Sequence, residues 1–129
     1  DAIFSGAFRK IVQNNRELHR QHIDQLASQV VHQIEQSYTD SDLSPTRIAD
    51  SLGMSSAYLG RIFRESTQIS ISQYLNQTRI RRAEELLRET EQPVETVAGL
   101  VGFSNPKYFY VVFKNITGQT PLQFRKQNS

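Results

Sequence analysis

The chain of 129 residues contains no cysteine, and its three histidines all lie before residue 33. Without thiolates it can form neither a disulfide framework nor a cysteine-ligated metal site. His19 and His22 lie one helical turn apart, a spacing that can bind a metal ion, but His32 is the one other histidine available. We therefore expect no metal and no other cofactor.

The residue patterns of catalysis and of membrane insertion are also absent from the sequence. No nucleophile lies beside a candidate base and there is no Gly-rich phosphate loop, so we predict that the chain is not an enzyme. No apolar run approaches the ~20 residues that span a bilayer, and no signal peptide is visible. We expect a cytoplasmic protein without membrane contact by this segment and, since it begins at Asp1, a fragment of a longer chain.

Charge is unevenly placed along a chain whose net charge is only +2. Residues 1–43 carry four Lys/Arg against six Asp/Glu, whereas residues 44–127 carry eleven against seven. A polyanionic ligand would therefore bind the C-terminal two-thirds of the chain. An ordinary solvated surface can have the same charge composition.

Hydrophobic periodicity and cap residues predict an all-α chain. Apolar spacings of three and four predict helix from Ile3 to Tyr38, with a candidate weak joint in the polar stretch NNRELHRQH. Serine, threonine and asparagine caps and helix-starting prolines predict six further helices. These begin near Pro45, Ser56, Ile71, Pro93, Pro106 and Pro121. No stretch alternates with period two, so strands are not expected.

The chain also repeats itself, with a shift of 49 places that becomes 50 after a turn. Seven identities follow this register: Ala49/Ala98, Gly53/Gly102, Ser55/Ser104, Tyr58/Tyr108, Phe63/Phe113, Thr67/Thr117 and Gln73/Gln123. Each copy reads as helix, glycine turn, helix, with a small alanine where two helices cross and a glycine free to adopt positive φ. This pattern predicts two helix-turn-helix units.

The stretches LSPTRIADSLGMSSAYLGRIFRE, TRIRRAEELL and VGFSNPKYFYVVFKNITGQTPLQFR resemble the DNA-binding domain of the AraC/XylS family of bacterial transcription regulators. The resemblance covers about residues 23–126. It implies an all-α fold of two homeodomain-like helix-turn-helix subdomains joined by a long central helix and preceded by a linker helix. It also implies double-stranded DNA and RNA polymerase as partners, activation rather than repression, and a nucleoid-associated location in the bacterial cytoplasm.

On this basis we divide the chain into four segments. They are a linker helix from a missing upstream domain (1–20), the first subdomain (21–70), the connecting helix (71–90) and the second subdomain (91–129). A connecting helix of about 20 residues is about 30 Å long, close to the ~34 Å between successive major-groove faces on one side of B-DNA. One chain could therefore place two recognition helices in adjacent turns.

The helical wheel divides each recognition helix into a buried and an exposed face. The predicted buried stripes are Leu59, Ile62 and Phe63 in the first helix, and Phe109, Val112, Phe113 and Ile116 in the second. The opposite faces are Ala57, Gly60, Arg61 and Arg64, and Lys107, Tyr110, Val111 and Lys114, with no acidic residue among them.

The family pattern assigns base reading to the start of this exposed face and phosphate contact to its end and to the caps. We expect base reading by Ser56, Ala57, Gly60, Arg61, Lys107, Tyr110 and Val111, and phosphate binding by Ser55, Arg64, Asn105 and Lys114. Arg61 is the strongest base reader, because a guanidinium matches guanine O6 and N7. Val111 departs from the basic residue common in relatives. It would contact a thymine methyl while Tyr110 packs on sugar–phosphate; alternatively the second subdomain only anchors the complex.

Two further surfaces carry expectations of their own. In RIRRAEELLRETE we expect the solvated face of the connecting helix, with a Glu84–Arg88 pair and phosphate contacts by some of Arg79, Arg81 and Arg82. The stripe of Phe4, Phe8, Ile11 and Leu18 could pair with a second chain or dock on the upstream domain, so a homodimer could form through this helix or through a missing sensor domain. The rival class is an all-helical protein–protein interaction module, which salt-sensitive binding to duplex DNA would exclude.

Overall fold

The structure is a computed structural model that describes the backbone from Ala2 to Ser129 and the side chains from Arg9 onward. Over these residues the chain forms seven α-helices and no strand, as predicted. They are α1 (Ala2–Ser37), α2 (Pro45–Ser51), α3 (Ser56–Thr67), α4 (Ile71–Glu89), α5 (Val94–Leu100), α6 (Pro106–Thr117) and α7 (Pro121–Gln127).

Helix α1 runs without a break through the polar stretch at 14–22 that was a candidate joint. That stretch contains neither glycine nor proline, and its Arg, Glu and Gln residues are good helix formers. Two members of the predicted N-terminal stripe, Ile11 and Leu18, are 59% and 62% exposed. The other two, Phe4 and Phe8, lie outside the residues whose side chains are described.

Capping side chains fix where the helices begin. The hydroxyl of Ser55 accepts a hydrogen bond from a first-turn amide of α3, that of Tyr58, at 3.1 Å. A capping box opens α4: Gln73 N donates to Ser70 Oγ, while the Gln73 side chain accepts from Ser70 N. Such reciprocal pairs satisfy two otherwise unpaired amide donors and stop the chain from fraying there.

The long helix α4 contributes to both hydrophobic cores. Its first half supplies Ile71 and Leu75 to a core around α1, α2 and α3, and its second half supplies Ile80, Ala83 and Leu87 to a core around α5, α6 and α7. The largest fully buried side chains are phenylalanines of the two recognition helices, Phe63, Phe109 and Phe113. Each helix-turn-helix unit is thus held by its own core on one shared helix.

The predicted buried stripes are correct except at Ile116, which is 43% exposed. It lies in the last turn of α6 at the edge of its stripe, where it lines the space between α4 and α6 and does not join the second core. The last turn of the stripe therefore leaves the core and points toward solvent.

The expectations for the face of α4 are met only in part. Of the three arginines considered for phosphate contact, Arg81 and Arg82 are exposed as expected, but Arg79 is only 6% exposed and does not belong to the solvated face. In the described part of the chain Glu84 and Arg88 form no ion pair; the Arg88 guanidinium lies 5.9 Å from the Phe124 ring. The surface pair on this helix is instead Arg82 with Glu85, at 2.6 Å and a spacing of three.

Candidate nucleic-acid interface

The exposed face of α3 forms one side of an open groove of about 630 Å³. The residues that line it are Ser56, Ala57, Gly60, Arg61, Arg64, Glu65 and Ser70. All the residues of α3 that were predicted to read bases therefore line this groove, together with Arg64. A Cβ built on Gly60 would meet nothing within 4 Å, so internal packing does not require glycine at this position.

The Arg61 side chain is held by an aromatic neighbour. Its guanidinium carbon lies 5.5 Å from the centre of the Tyr58 ring, one turn earlier on α3. Arginine over an aromatic face is an attractive cation–π arrangement, worth about 0.5–1 kcal/mol at an exposed site. Stacking therefore limits the conformations of Arg61 before any ligand binds, while leaving its guanidinium edge accessible.

The first turn of α3 contains backbone amides that have no hydrogen-bond acceptor among the described residues. Ser55 Oγ accepts from Tyr58 N and Ser55 O from Leu59 N. The amides of Ser56 and Ala57 donate to no group in the described part of the chain. Exposed amides at a helix N-terminus suit a phosphate, which agrees with the phosphate role expected near Ser55.

On α6 three of the four predicted DNA-facing side chains are exposed: Lys107, Val111 and Lys114. The fourth, Tyr110, is half-buried and packs against the second core, with its ring centre 6.3 Å from that of Phe109. The expectation of a fully surface-facing Tyr110 is therefore only partly correct. A large ring at the edge of the face gains more by burial against a neighbouring phenylalanine than by exposure.

The start of α6 differs from that of α3 because its amides are already used. Pro106 has no N–H, and Asn105 Oδ1 accepts from Lys107 N at 3.0 Å and from Tyr108 N at 3.4 Å. Any phosphate contact by Asn105 must therefore use its side-chain amide nitrogen or its own backbone amide, not the first-turn amides of α6.

A second groove, of about 360 Å³, lies between α4 and α6 and was not predicted. It is lined by Gln73, Asn76, Gln77, Tyr108, Val111, Val112, Asn115 and Ile116. Asn76 Nδ2 donates to the Tyr108 hydroxyl at 3.2 Å, which links the recognition helix to the connecting helix. No local signal in the sequence marks this groove, because it forms only when two helices distant in the chain pack together.

Three further observations on the described residues concern metal ligands, membrane spans and acidic groups. No three potential ligands among histidine and acidic side chains come together there as a metal site. No helix in that part of the chain is long and apolar enough to cross a membrane. The acidic group nearest the α3 groove is Glu65, whose carboxylate lies 3.8 Å from His19 Nε2 on α1.

Paired helix-turn-helix units with exposed basic recognition helices define a DNA-binding transcription regulator. The chain matches the family described as "Helix-turn-helix domain" over residues 48–127. It is similar to the Msm operon regulatory protein of Streptococcus mutans, with 38% identity over 75% of this chain and 35% of that protein. It is also similar to the HTH-type transcriptional activator RhaR of Cronobacter sakazakii, with 44% identity over 54% of this chain and 24% of that protein.

Solved structures agree with this family. The C-terminal domain of the response regulator AraT from Geobacillus stearothermophilus matches with a TM-score of 0.77 and 31% identity, over 79% of this chain and 84% of that one. The DNA-binding domain of AdpA in complex with a target DNA matches with a TM-score of 0.71 and 27% identity, over 79% and 90%. The chain belongs to the AraC/XylS family of transcription regulators. It spans about a third or less of the curated relatives named above.

Proposed function

We propose that the chain binds a specific double-stranded DNA sequence with α3 and α6 in successive major-groove turns on one side of the duplex. The observation that carries this proposal is the pair of equivalent, exposed basic helices attached to one rigid helix. The 19 residues of α4 make it about 28 Å long, comparable with the ~34 Å between those turns. A single chain then reads two half-sites.

In the first half-site Arg61 reads a base pair and Arg64 binds phosphate. Arg61 is exposed, stacked on Tyr58 and flanked by the small residues Ala57 and Gly60, which allow the helix to come close to the groove floor. A bidentate guanidinium contact to guanine gives about 1–3 kcal/mol of discrimination. Ser55, Ser56 and their neighbouring amides hold the adjoining phosphate.

In the second half-site readout is mainly apolar. Val111 is 56% exposed at the position equivalent to Arg61 and suits contact with a thymine methyl. Lys107 is the polar base reader, the exposed edge of Tyr110 packs on sugar–phosphate, and Asn105 and Lys114 bind phosphate. The alternative is that this subdomain only anchors the complex through backbone contacts.

For the longer protein to which this segment would belong, we propose transcription activation with RNA polymerase as partner. A relative named as a transcriptional activator supports this role. We further propose a cytoplasmic, nucleoid-associated, non-enzymatic protein whose residues 1–20 connect residues 21–129 to an upstream domain. The exposed Ile11 and Leu18 support pairing of that helix with a second copy in a homodimer.

The test is selection of bound duplexes from random DNA by the purified chain, repeated at several salt concentrations. We expect a motif of two half-sites whose centres are one helical turn apart, about 10–10.5 base pairs. Log affinity should fall linearly with log salt concentration, by about 0.9 for each phosphate contacted.

A charge-matched pair of variants separates this function from protein–protein interaction. Arg64→Ala with Lys114→Ala should lower the salt slope by about two. Arg9→Ala with Lys10→Ala, which removes the same charge from exposed residues of α1, should leave the slope unchanged. Selection without a preferred sequence, or binding that ignores salt, would favour the interaction module.

A further inference from the structure

We infer that Arg79 is a positioning residue for DNA binding, which fixes the orientation of the two helix-turn-helix subdomains relative to each other. The inference rests on the proposed two-site binding mode. Arg79 lies in the middle of α4, between the residues that serve the first core and those that serve the second. It is the one charged side chain buried among the residues described.

The hydrogen bonds of Arg79 lead to the first subdomain. Its Nε donates to Tyr38 O at 2.8 Å and its Nη2 donates to Asp40 O at 2.9 Å. Both carbonyls belong to the turn that connects α1 with α2, about 40 residues earlier in the chain. Burial lowers the pKa of Arg79, and the nearby Asp40 carboxylate opposes that shift. A planar guanidinium donates to the two carbonyls from two nitrogens in a fixed geometry, whereas a lysine ammonium offers its three donors from a single atom on a flexible stem.

The other side of the same guanidinium faces the second subdomain. Its central carbon lies 5.6 Å from the centre of the Phe103 ring, in the turn between α5 and α6. Next to Phe103, buried Gly102 has φ +103°, and a Cβ built there would lie 2.2 Å from Tyr38 O and 2.8 Å from Arg79 Nε. The turns of both subdomains therefore meet at Arg79, at a distance that only glycine permits.

A fixed orientation matters because two linked sites gain affinity only when both can be engaged together. The gain can reach 10²–10⁴-fold and is lost if the geometry forbids simultaneous contact. Helix α4 sets the distance between the recognition helices. The contacts of Arg79 with Tyr38, Asp40 and Phe103, which we call the Arg79 junction, set their angle. Loss of the junction should thus weaken binding to paired half-sites and leave binding to one half-site unchanged.

The first measurement needs no DNA. Because the chain contains no cysteine, spin labels can be placed on Thr46→Cys in α2 and Glu95→Cys in α5, both exposed. Their distance distribution should be narrow in the parent and broader or shifted after Arg79→Met, and Arg79→Lys should fall between the two. Arg82→Met, an exposed change on the same helix, is the matched control. Equal distributions for Arg79→Met and Arg82→Met would overturn the inference.

The second measurement uses the selected duplex, the same duplex with one half-site scrambled, and one with two base pairs inserted between the half-sites. Arg79→Met should bind the intact duplex about tenfold or more weakly, bind the duplex with the scrambled half-site within about twofold of the parent, and lose the parent's discrimination against the insertion. An equal loss on all three duplexes would make Arg79 a folding residue only. If the parent itself shows no paired half-sites, the proposed function fails, while the label distances still decide the role of Arg79.

A pair of glycine variants completes the test. Gly53 and Gly102 occupy equivalent turns with positive φ, but a Cβ on Gly53 would meet nothing within 4 Å. Alanine strains the turn in both cases, and only at position 102 does it also collide with the junction. Gly102→Ala should change the label distances and the binding to paired half-sites as Arg79→Met does, whereas Gly53→Ala should change neither. The same response from both variants would contradict the role of the junction.

Discussion

The two helix-turn-helix units are nearly identical where they pack and different where they face outward. In each, a threonine hydroxyl near the end of the recognition helix donates to a phenylalanine carbonyl at 2.8 Å, Thr67 to Phe63 and Thr117 to Phe113. The ring of Phe63 meets that of Tyr74 at 5.9 Å and 80°, and the ring of Phe113 meets that of Phe124 at 5.6 Å and 79°. Close packing tolerates little change in such contacts.

The outward faces are free of that constraint. Arg61 stacks on the free ring of Tyr58, whereas the equivalent Val111 lies beside a Tyr108 whose hydroxyl accepts from Asn76. The first unit offers a guanidinium and two amides that donate to none of the described residues, and the second offers a valine and a groove rich in side-chain amides. This difference is the basis for proposing that the two units read DNA in different ways.

The largest predicted effect concerns the independence of the two cores. Phe113→Ala should cost about 3–5 kcal/mol, because Phe113 is fully buried in the second core alone. Hydrogen exchange should then show loss of protection in α5–α7 with α1–α3 still protected. Phe63→Ala, its counterpart in the repeat, should give the reverse pattern. Equal loss of protection throughout the chain in either variant would show one cooperative unit.

The next effect tests the difference between the outward faces. Arg61→Ala should cost about 1–3 kcal/mol of binding free energy, concentrated at one base pair. Val111→Ala removes only two methyl groups, so it should cost less binding free energy than Arg61→Ala. It should also weaken the preference of the chain for thymine in the distal half-site. Affinities for a set of single-base variants of the selected duplex provide the measurement. A loss spread evenly over all sequences would make Arg61 a phosphate contact, and an unchanged preference after Val111→Ala would leave the second unit as an anchor.

Local signals in the sequence were sufficient for most of the fold. Capping residues such as Ser70 and Thr120 act on neighbouring amides, so they mark helix starts without knowledge of the tertiary structure. The internal repeat then identified Phe63 and Phe113 as equivalent core residues. The faces of α3 and α6 followed from the helical wheel, since direction around a helix depends only on residue spacing.

What the sequence could not predict depends on neighbours distant in the chain. In the sequence Arg79 resembles the surface arginines next to it. It is buried because a turn from each subdomain packs against it. Tyr110 and Ile116 lie at the edges of their stripes, where the extent of the neighbouring helices decides exposure. The groove between α4 and α6 likewise requires the packing of two helices that are far apart in sequence.

The smallest predicted effect tests whether the open space beside a helical glycine is needed for DNA to approach. Gly60 in α3 and Gly99 in α5 are both helical, and a Cβ on either would meet nothing within 4 Å. Alanine at each position should therefore stabilise the fold by about 0.5–1 kcal/mol through helix propensity. Only Gly60 lines the proposed DNA groove, so Gly60→Ala should weaken DNA binding while raising the Tm, and Gly99→Ala should raise the Tm alone. If Gly60→Ala binds the selected duplex as tightly as Gly99→Ala does, α3 does not approach the groove floor at this residue, and Arg61 would reach its base from further away.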